Sequence, residues 1–228
     1  MVPIGSVFAG KYRVERILGQ GGMGVVVQAT HLQLNQPVAI KFLLPEVMRN
    51  EQVVQRFLRE AQAAVRLRSE HVARVLDVGA LDNGAPYMVL EYLDGMDLSA
   101  LARHQLTIGQ IVDLMLQACE GLAEAHAMGI VHRDIKPANF FITRGTDGVQ
   151  LLKVLDFGIS KAMQDPSTDN NLTATSMVMG TPAYMSPEQI KSARSVDLRS
   201  DIWSLGVVLY ELFQGVQPFQ ADTFGLMA

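Results

Sequence analysis

The sequence contains only one cysteine, Cys119, among 228 residues. One thiol cannot form an intramolecular disulfide, so a disulfide-stabilised secreted domain is excluded and a reducing compartment is favoured. Cys119 lies within an apolar helical pattern, which predicts a buried thiol in the core. The five histidines are scattered without the spacing of metal ligands, and the sequence therefore does not support a zinc site.

The sequence also lacks an uninterrupted apolar run of membrane-spanning length. Its longest stretch without a charged residue, 170–187, contains two prolines and many hydroxyl and amide side chains, which excludes a transmembrane helix. The N-terminus has no basic segment followed by an apolar run of signal-peptide length. From these features we expect a soluble, cytoplasmic chain with no membrane segment.

Neither acidic nor basic residues are in large excess over the other. Nineteen basic residues against twenty-three acidic ones leave a net charge of −4, so nothing indicates a nucleic-acid-binding surface. Apolar residues make up 49% of the chain and charged residues 18%, a globular composition that can bury roughly 70% of the unfolded surface. Disorder is not expected.

The first ninety or so residues show the periodicity of short strands. Strand patterns at 12–18, 25–30 and 38–44 predict an antiparallel meander, and apolar residues at helical spacing within 50–67 predict one helix. Strand patterns return within 72–93, with Asp82-Asn83-Gly84 as the hairpin turn. This part of the chain is predicted to be a sheet with one helix.

Beyond Gly95 the pattern becomes mostly helical. Thr107 and Gln110 form a capping-box signature that opens a predicted helix through Met128. A later helix is predicted at 201–215, and it is apolar nearly all round, which is typical of a helix covered by other elements. Only thirteen residues follow Gly215, so we expect the sequence to end inside this second domain.

Four glycines follow the first strand pattern, and three of them have a regular spacing. Gly19, Gly21 and Gly24 have G-x-G-x-x-G spacing, but β-branched residues follow them directly, whereas a dinucleotide-binding fingerprint opens a helix. Glycines between two strands instead let backbone N–H groups approach phosphates closely. A plain tight hairpin is the alternative.

A lysine and a glutamate occupy positions that are predicted to face the core. Lys41 alternates inward with Ala39 along its strand, where a charged side chain is costly unless it meets an anion. Glu60 lies three and four positions from Phe57 and Ala64, on the apolar face of the predicted helix. We predict that the two side chains pair, the alternative being that both are ordinary surface residues.

Two polar segments lie between apolar runs in the second half of the chain. The segment "VHRDIKPANFF" at 131–141 gathers His132, Arg133, Asp134, Lys136 and Asn139, which indicates a loop whose side chains are directed at a ligand. The segment "LDFGIS" places Asp156 directly after an apolar strand. The sequence resembles the eukaryotic-type Ser/Thr protein kinases, in particular their bacterial members. The resemblance rests on five motifs in this order: a glycine loop, a strand lysine, a helix glutamate, "HRDIKPAN" and "DFG".

The resemblance implies an α+β, two-lobed protein-kinase-like fold that is incomplete at the C-terminus. Residues 1–93 would form the N-lobe, a small antiparallel sheet with one helix, and 94–228 a partial, mostly helical C-lobe. It implies transfer of the ATP γ-phosphoryl group to Ser/Thr hydroxyls of proteins. Asp134 would accept the hydroxyl proton, Lys136 would neutralise the phosphoryl group in transit, and Asn139 and Asp156 would hold Mg²⁺.

The resemblance also implies a nucleotide-binding set. Lys41 would hold the α- and β-phosphates, with Glu60 fixing its rotamer, and adenine would lie between Val26 and Ala39 above and Phe141 below. The remaining implied nucleotide contacts are Leu18, Gly19, Gly21, Gly24, Leu90, Glu91 and Leu93. All five key side chains, 41, 60, 134, 139 and 156, are expected to gather around one magnesium-bound triphosphate.

Regulation is implied by Arg133 and by the loop that follows Asp156. Thr173 and Thr175 match a T-x-T pattern of bacterial members, and phosphate there would recruit Arg133 and order the loop. An ordinary flexible polar loop is the alternative. Self-association for phosphorylation between copies is a further expectation.

The sequence departs from the family pattern in a few places. Ile135 replaces leucine and Ser186 replaces alanine, both mild changes. In the family Glu188 pairs with an arginine from a late helix, which no residue after Phe219 supplies; leaving that carboxylate unpaired would cost roughly 3–5 kcal/mol.

Two alternatives to an active protein kinase remain from the sequence. One is a nucleotide-binding fragment with little or no turnover. The other is a small-molecule phosphotransferase, which would lack the "GTPAYMSPE" segment found at 180–188.

Overall fold

The structure is a computed structural model that describes residues 3–22, 24–101, 106–145, 148–157, 182–191 and 196–219. The chain divides into two units. The first comprises the residues before Ser69 together with Ala73–Asp94, and the second comprises Ser69–Val72 and the residues from Gly95 onward. This division lies one residue from the boundary that the sequence predicts and differs from it in the segment Ser69–Val72.

The first unit is built on a six-stranded antiparallel sheet with the order β1-β2-β3-β4-β6-β5. Its strands are β1 Val7–Phe8, β2 Tyr12–Gln20, β3 Gly24–His31, β4 Gln36–Leu43, β5 Val75–Ala80 and β6 Pro86–Glu91. Helix α1, Pro45–Met48, and helix α2, Glu51–Ala64, follow β4. The sequence predicted only one helix here. The additional α1 is a four-residue helix that begins with proline, which is well suited to a first helical position.

The two faces of this sheet pack different layers. One face buries an aromatic and aliphatic core: Tyr12, Val14, Val25, Val27, Ala29, Val38, Ile40, Phe42, Tyr87 and Val89. On the other face Leu43 and Met88 pack against Phe57 and Ala61 of α2. Since strand side chains alternate between faces, Lys41 points to the α2 side while its neighbours Ile40 and Phe42 enter the aromatic core.

The second unit combines a three-stranded sheet, in the order β7-β8-β9, with helices. The strands are β7 Met96–Asp97, β8 Phe140–Arg144 and β9 Gln150–Val154, and the helices are α3 Leu98–Leu101, α4 Ile108–Ala127, α5 Pro187–Lys191 and α6 Leu198–Gln214. Single 3₁₀ turns occur at Pro137–Asn139 and Pro182–Tyr184. Helix α4 packs against β9 and α6.

The predicted capping box of α4 is confirmed. The Thr107 side chain accepts a hydrogen bond from the Gln110 backbone N–H at 3.3 Å, and the Gln110 side chain accepts one from the Thr107 N–H at 2.9 Å. Two orphan donors of the first turn are satisfied reciprocally, which fixes where the helix begins.

The prediction of a buried thiol is wrong, because Cys119 is exposed on α4. Its neighbour Ala118 is fully buried, so Cys119 lies beside the core face of α4 and not on it. Partial burial still raises the pKa of the Cys119 thiol. This places the cysteine at the edge of the helix's packed face.

Helix α6 begins at Leu198, three residues before the predicted start, because Asp197 caps it by accepting from the Arg199 N–H. Five large apolar side chains of α6 are exposed: Leu198, Ile202, Trp203, Tyr210 and Phe213. That further elements cover this helix stays a prediction. Of the helices in the described parts of the chain, none combines the length and apolar character needed to cross a membrane.

Candidate active site

Four of the predicted nucleotide contacts lie on one face of the first unit's sheet. Val26 on β3 is the cross-strand partner of Lys41, and Ala39 is the partner of Leu90 on β6. Cross-strand partners point to the same face, and Ala39 and Lys41 alternate with Ile40, so all four residues face the α2 side. The sheet register therefore places an apolar patch of three residues beside the lysine.

The glycine segment joins β2 to β3, and the Gly21 N–H donates to the Gly24 carbonyl at 2.9 Å. A Cβ at Gly24 would collide with the carbonyl oxygen of Phe42, so packing within the sheet requires glycine there. Among the residues that the structure describes, no atom lies within 4 Å of a Cβ added at Gly19 or Gly21. A tight hairpin thus explains one of the three glycines and leaves the other two available for close approach of a ligand.

Lys41 and Glu60 form the predicted ion pair, with Nζ and Oε1 3.2 Å apart. The side chains are only 17% and 11% exposed. Glu60 lies between Phe57 and Ala61, which face the sheet from the buried side of α2. Because the largely buried Lys41 ammonium is already fixed against the sheet, it can bind an anion with little further loss of rotamer freedom.

In the second unit, the loop before β8 brings three predicted residues together. The Lys136 ammonium donates to Asp134 Oδ2 at 3.0 Å, and Asn139 Nδ2 donates to the same oxygen at 3.3 Å and to the Asp134 carbonyl at 2.7 Å. These bonds fix the direction of the Asp134 carboxylate. Asn139 uses its nitrogen for both bonds, so its Oδ1 is the atom that can ligate a cation.

A backbone hydrogen bond places Asp156 beside this cluster. The Leu155 N–H donates to the Asn139 carbonyl at 2.8 Å, and Asp156 follows with a φ of 48°, in the left-handed region that aspartate tolerates better than most residues. The side chain is exposed. An amide oxygen and a carboxylate on adjoining backbone segments are hard oxygen donors, and this donor set fits Mg²⁺.

His132 is a fully buried residue that supports the loop. Its Nδ1 accepts from the Asp134 backbone N–H at 3.2 Å, and its Nε2 donates to the Leu155 carbonyl at 2.8 Å. One acceptor and one donor define a neutral imidazole protonated on Nε2. The ring also packs on Phe157, with centroids 4.8 Å apart. His132 therefore joins the loop of Asp134 to the segment of Asp156.

Burial lowers the pKa of His132, although nearby carboxylates oppose the shift. The unfolded chain consequently binds more protons at this residue than the folded protein, so the free energy of unfolding should decrease as pH falls below about 6.5. His132 can contribute a slope of at most about 1.4 kcal/mol per pH unit, in a window above the range where most carboxylates titrate. Urea denaturation between pH 5 and 7.5 measures this slope.

His132→Asn should show a shallower dependence on pH than the unsubstituted chain. His31→Gln, at a partly exposed histidine of the first unit, is the matched control and should retain the full slope. Equal slopes in the unsubstituted chain and His132→Asn would show that His132 is not buried in its neutral form.

Asp201 also supports this loop, and it was not predicted from the sequence. Its carboxylate, in the first turn of α6, accepts from the backbone N–H groups of His132 and Arg133 and from His126 Nε2, each at 2.8 Å. Asp201 is fully buried. The one available signal was an acidic residue inside a helix that is otherwise strongly apolar. The helix thus anchors the backbone that carries Asp134.

The remaining predicted nucleotide contacts differ in their exposure and in the unit that carries them. Leu18 is partly exposed at the glycine segment, Glu91 and Leu93 are half-buried at the end of β6 and beyond it, and Phe141 is half-buried on β8 of the second unit. Thr173 and Thr175 lie outside the described residues.

The Glu188 carboxylate accepts a hydrogen bond from a side chain. The Ser200 hydroxyl donates to Glu188 Oε1 at 2.6 Å and lowers the pKa of that carboxyl. Glu188 is therefore hydrogen-bonded, but a hydroxyl carries no counter-charge, and the lack of an arginine partner stays a prediction.

Comparisons with known proteins show the family. The family described as Protein kinase domain matches residues 12–225. The serine/threonine-protein kinase pkn3 of Myxococcus xanthus is 40% identical over 222 residues, which are 96% of this chain and 40% of that protein. PknB of Mycobacterium tuberculosis is 40% identical over 223 residues, 96% of this chain and 34% of that protein. The chain thus spans well under half the length of these curated relatives.

Solved structures support the predicted fold class. A crystal structure of the PknI kinase domain of Mycobacterium tuberculosis matches with a TM-score of 0.75 and 28% identity, over 98% of this chain and 80% of that one. The kinase fold expected from the sequence is therefore confirmed. The relatives named above are bacterial serine/threonine-protein kinases. Because the family match covers nearly the whole chain, the protein belongs to the protein kinase domain family.

Proposed function

We propose that this chain transfers the γ-phosphoryl group of ATP to serine or threonine hydroxyls of proteins. The observation that carries the proposal is the hydrogen-bonded cluster of Asp134, Lys136 and Asn139. A carboxylate hydrogen-bonded to an ammonium and an amide suits a reaction that needs a proton acceptor and neutralisation of phosphoryl charge. The names of the relatives support Ser/Thr specificity.

Each residue of the cluster has a role in the proposed reaction. Asp134 orients the attacking hydroxyl and accepts its proton, and Lys136 stabilises negative charge on the phosphoryl oxygens. Asn139 Oδ1 and the Asp156 carboxylate would hold Mg²⁺, which neutralises phosphate charge when bound. The loop also fixes these groups before substrate arrives, because His132 and Asp201 hold its backbone.

The first unit supplies the proposed nucleotide contacts. Lys41, held by Glu60, binds the α- and β-phosphates, and Gly19 and Gly21 let backbone N–H groups approach phosphate oxygens. Adenine packs on Val26, Ala39 and Leu90, whose shared sheet face supports this assignment. The complete proposed set also contains Leu18, Gly24, Glu91, Leu93 and Phe141.

We also propose that phosphorylation of Thr173 or Thr175 activates the enzyme through Arg133. Burial lowers the pKa of the Arg133 guanidinium. Within the described ranges no carboxylate forms an ion pair with this side chain, so a phosphate is a suitable counter-ion. Transfer between two copies of the chain would supply that phosphate. A cytoplasmic location stays a prediction.

The proposal is tested by incubating the purified chain with Mg·ATP and a generic basic protein. We expect phosphate on the added protein, and on Thr173 or Thr175, detected by mass spectrometry. ATP-dependent thermal stabilisation with no transfer at any enzyme concentration would instead identify a nucleotide-binding fragment without turnover.

Lys41→Met should weaken ATP binding and lower phosphoryl transfer by about 10²-fold or more, because the phosphates lose a charge-assisted contact. Methionine preserves the apolar stem beside α2, although it leaves Glu60 without its ion pair. Lys11→Met, at an exposed lysine of the same unit, is the control. Calorimetry with ATP and a transfer assay measure the two effects, and normal binding by Lys41→Met would remove Lys41 from the phosphate site.

A further inference from the structure

The side chain of Gln189, in helix α5, contacts the loop that carries Asp134. Its Nε2 donates to the Arg133 carbonyl at 2.9 Å. Arg133 precedes Asp134 and has a φ of 67°, in the left-handed region that non-glycine residues rarely occupy. Such a conformation persists only where surrounding contacts maintain it.

The peptide group between Arg133 and Asp134 is held at both of its polar atoms. Its carbonyl oxygen accepts from Gln189, and its N–H donates to His132 Nδ1 at 3.2 Å. The preceding N–H, that of Arg133, donates to Asp201. Rotation of this peptide group would change ψ of Arg133 and φ of Asp134, and a change in φ redirects the Asp134 side chain. By holding the carbonyl, the Gln189 contact restricts that rotation.

The orientation of Gln189 is itself fixed by a capping box at the start of α5. Gln189 Oε1 accepts from the Ser186 N–H at 3.0 Å, and the Gln189 N–H donates to Ser186 Oγ at 3.3 Å. Only the amide oxygen can accept from Ser186, so Nε2 is the group left to face the Arg133 carbonyl. Ser186 is fully buried, which shields this arrangement from water.

We propose that Gln189 is a positioning residue for the Asp134 base. It links the segment that begins at the Pro182–Tyr184 turn, part of the "GTPAYMSPE" sequence, to the backbone of the catalytic loop. Order in that segment is thereby coupled to the direction of the base. The inference rests on the proposed kinase function, because it assigns Gln189 a part in the same reaction.

The test uses two substitutions that separate the link from the helix cap. Gln189→Glu keeps an oxygen for the Ser186 N–H but places a second oxygen against the Arg133 carbonyl. Ser186→Ala removes the hydroxyl of the cap and keeps the Ser186 N–H, so Gln189 can still reach Arg133. We expect kcat to fall about 10- to 100-fold in Gln189→Glu, with an unchanged KM for ATP, because a small misplacement of a reacting group is costly. Ser186→Ala should stay near the unsubstituted rate.

A double-mutant cycle distinguishes positioning of the base from general damage. In an Asp134→Asn background, Gln189→Glu should lower the residual rate little further, since the group that it positions is already disabled. The proposal is overturned if Gln189→Glu retains the normal kcat, if Ser186→Ala shows the same loss, or if the Gln189→Glu factor persists in full without Asp134.

Amide hydrogen exchange provides a readout that does not depend on activity. Exchange at the Arg133 and Asp134 amides should accelerate in Gln189→Glu and not in Ser186→Ala. If the unsubstituted chain transfers no phosphate, the proposed function fails, yet exchange still decides the structural link. Equal protection in the two variants would refute that link, and faster exchange only in Gln189→Glu would support it.

Discussion

Asp134→Asn should lower phosphoryl transfer by about 10²- to 10⁴-fold, the range expected for loss of a general base, while ATP affinity stays nearly unchanged. Asparagine has almost the same shape, and its amide oxygen can still accept from Lys136 and Asn139, whose nitrogens lie 3.0 Å and 3.3 Å from the present carboxylate oxygen. The lost property is the ability to take a proton. Steady-state kinetics with a protein substrate and calorimetry with Mg·ATP measure the two quantities.

Asp113→Asn is the matched control for this substitution. Asp113 is an exposed aspartate on α4, in the same unit as Asp134, and its replacement should leave turnover unchanged. Turnover of Asp134→Asn at the rate of the Asp113→Asn control would remove Asp134 as the base. A large loss of ATP affinity together with turnover would instead indicate that the loop itself had collapsed.

The parts of this site that local patterns encode were predictable from sequence. Phe57 and Ala64 define the apolar face of α2, and Glu60 lies on it, so its pairing with Lys41 followed from helical spacing and strand alternation. Thr107 and Gln110 fixed the start of α4 in the same way, because a capping box is a contact between residues three apart. Both signals are short-range consequences of backbone geometry.

The supports of the loop that carries Asp134 were not predictable, because their contacts join distant parts of the chain. Asp201 binds N–H groups 68 and 69 residues earlier, and Gln189 binds a carbonyl 56 residues earlier. Backbone N–H and C=O groups are identical at every residue, so sequence carries no mark of which one a distant side chain will satisfy. The prediction that Cys119 is buried failed for a related reason. An apolar pattern gives the direction of the buried face of a helix but not its width.

Asp201→Ala should lower the free energy of unfolding by roughly 3–5 kcal/mol, as when one partner of a buried charged contact is removed. It leaves the backbone N–H groups of His132 and Arg133 without their acceptor, in a place where the carboxylate had no exposure to water. For a chain of this size the melting temperature should fall by roughly 6–20 °C. Differential scanning calorimetry and urea denaturation measure the change.

Asp197→Ala, at the N-cap of the same helix, separates anchoring of the loop from stability of α6. Asp197 is about half exposed and accepts from Arg199, so its loss should cost only about 0.5–2 kcal/mol. Equal melting temperatures for the two variants would show that Asp201 is no more than a helix-terminal residue. If Asp201 is the anchor, its alanine variant should also lose turnover well below its own melting temperature, while Asp197→Ala keeps it, because only Asp201 holds the backbone that aims Asp134.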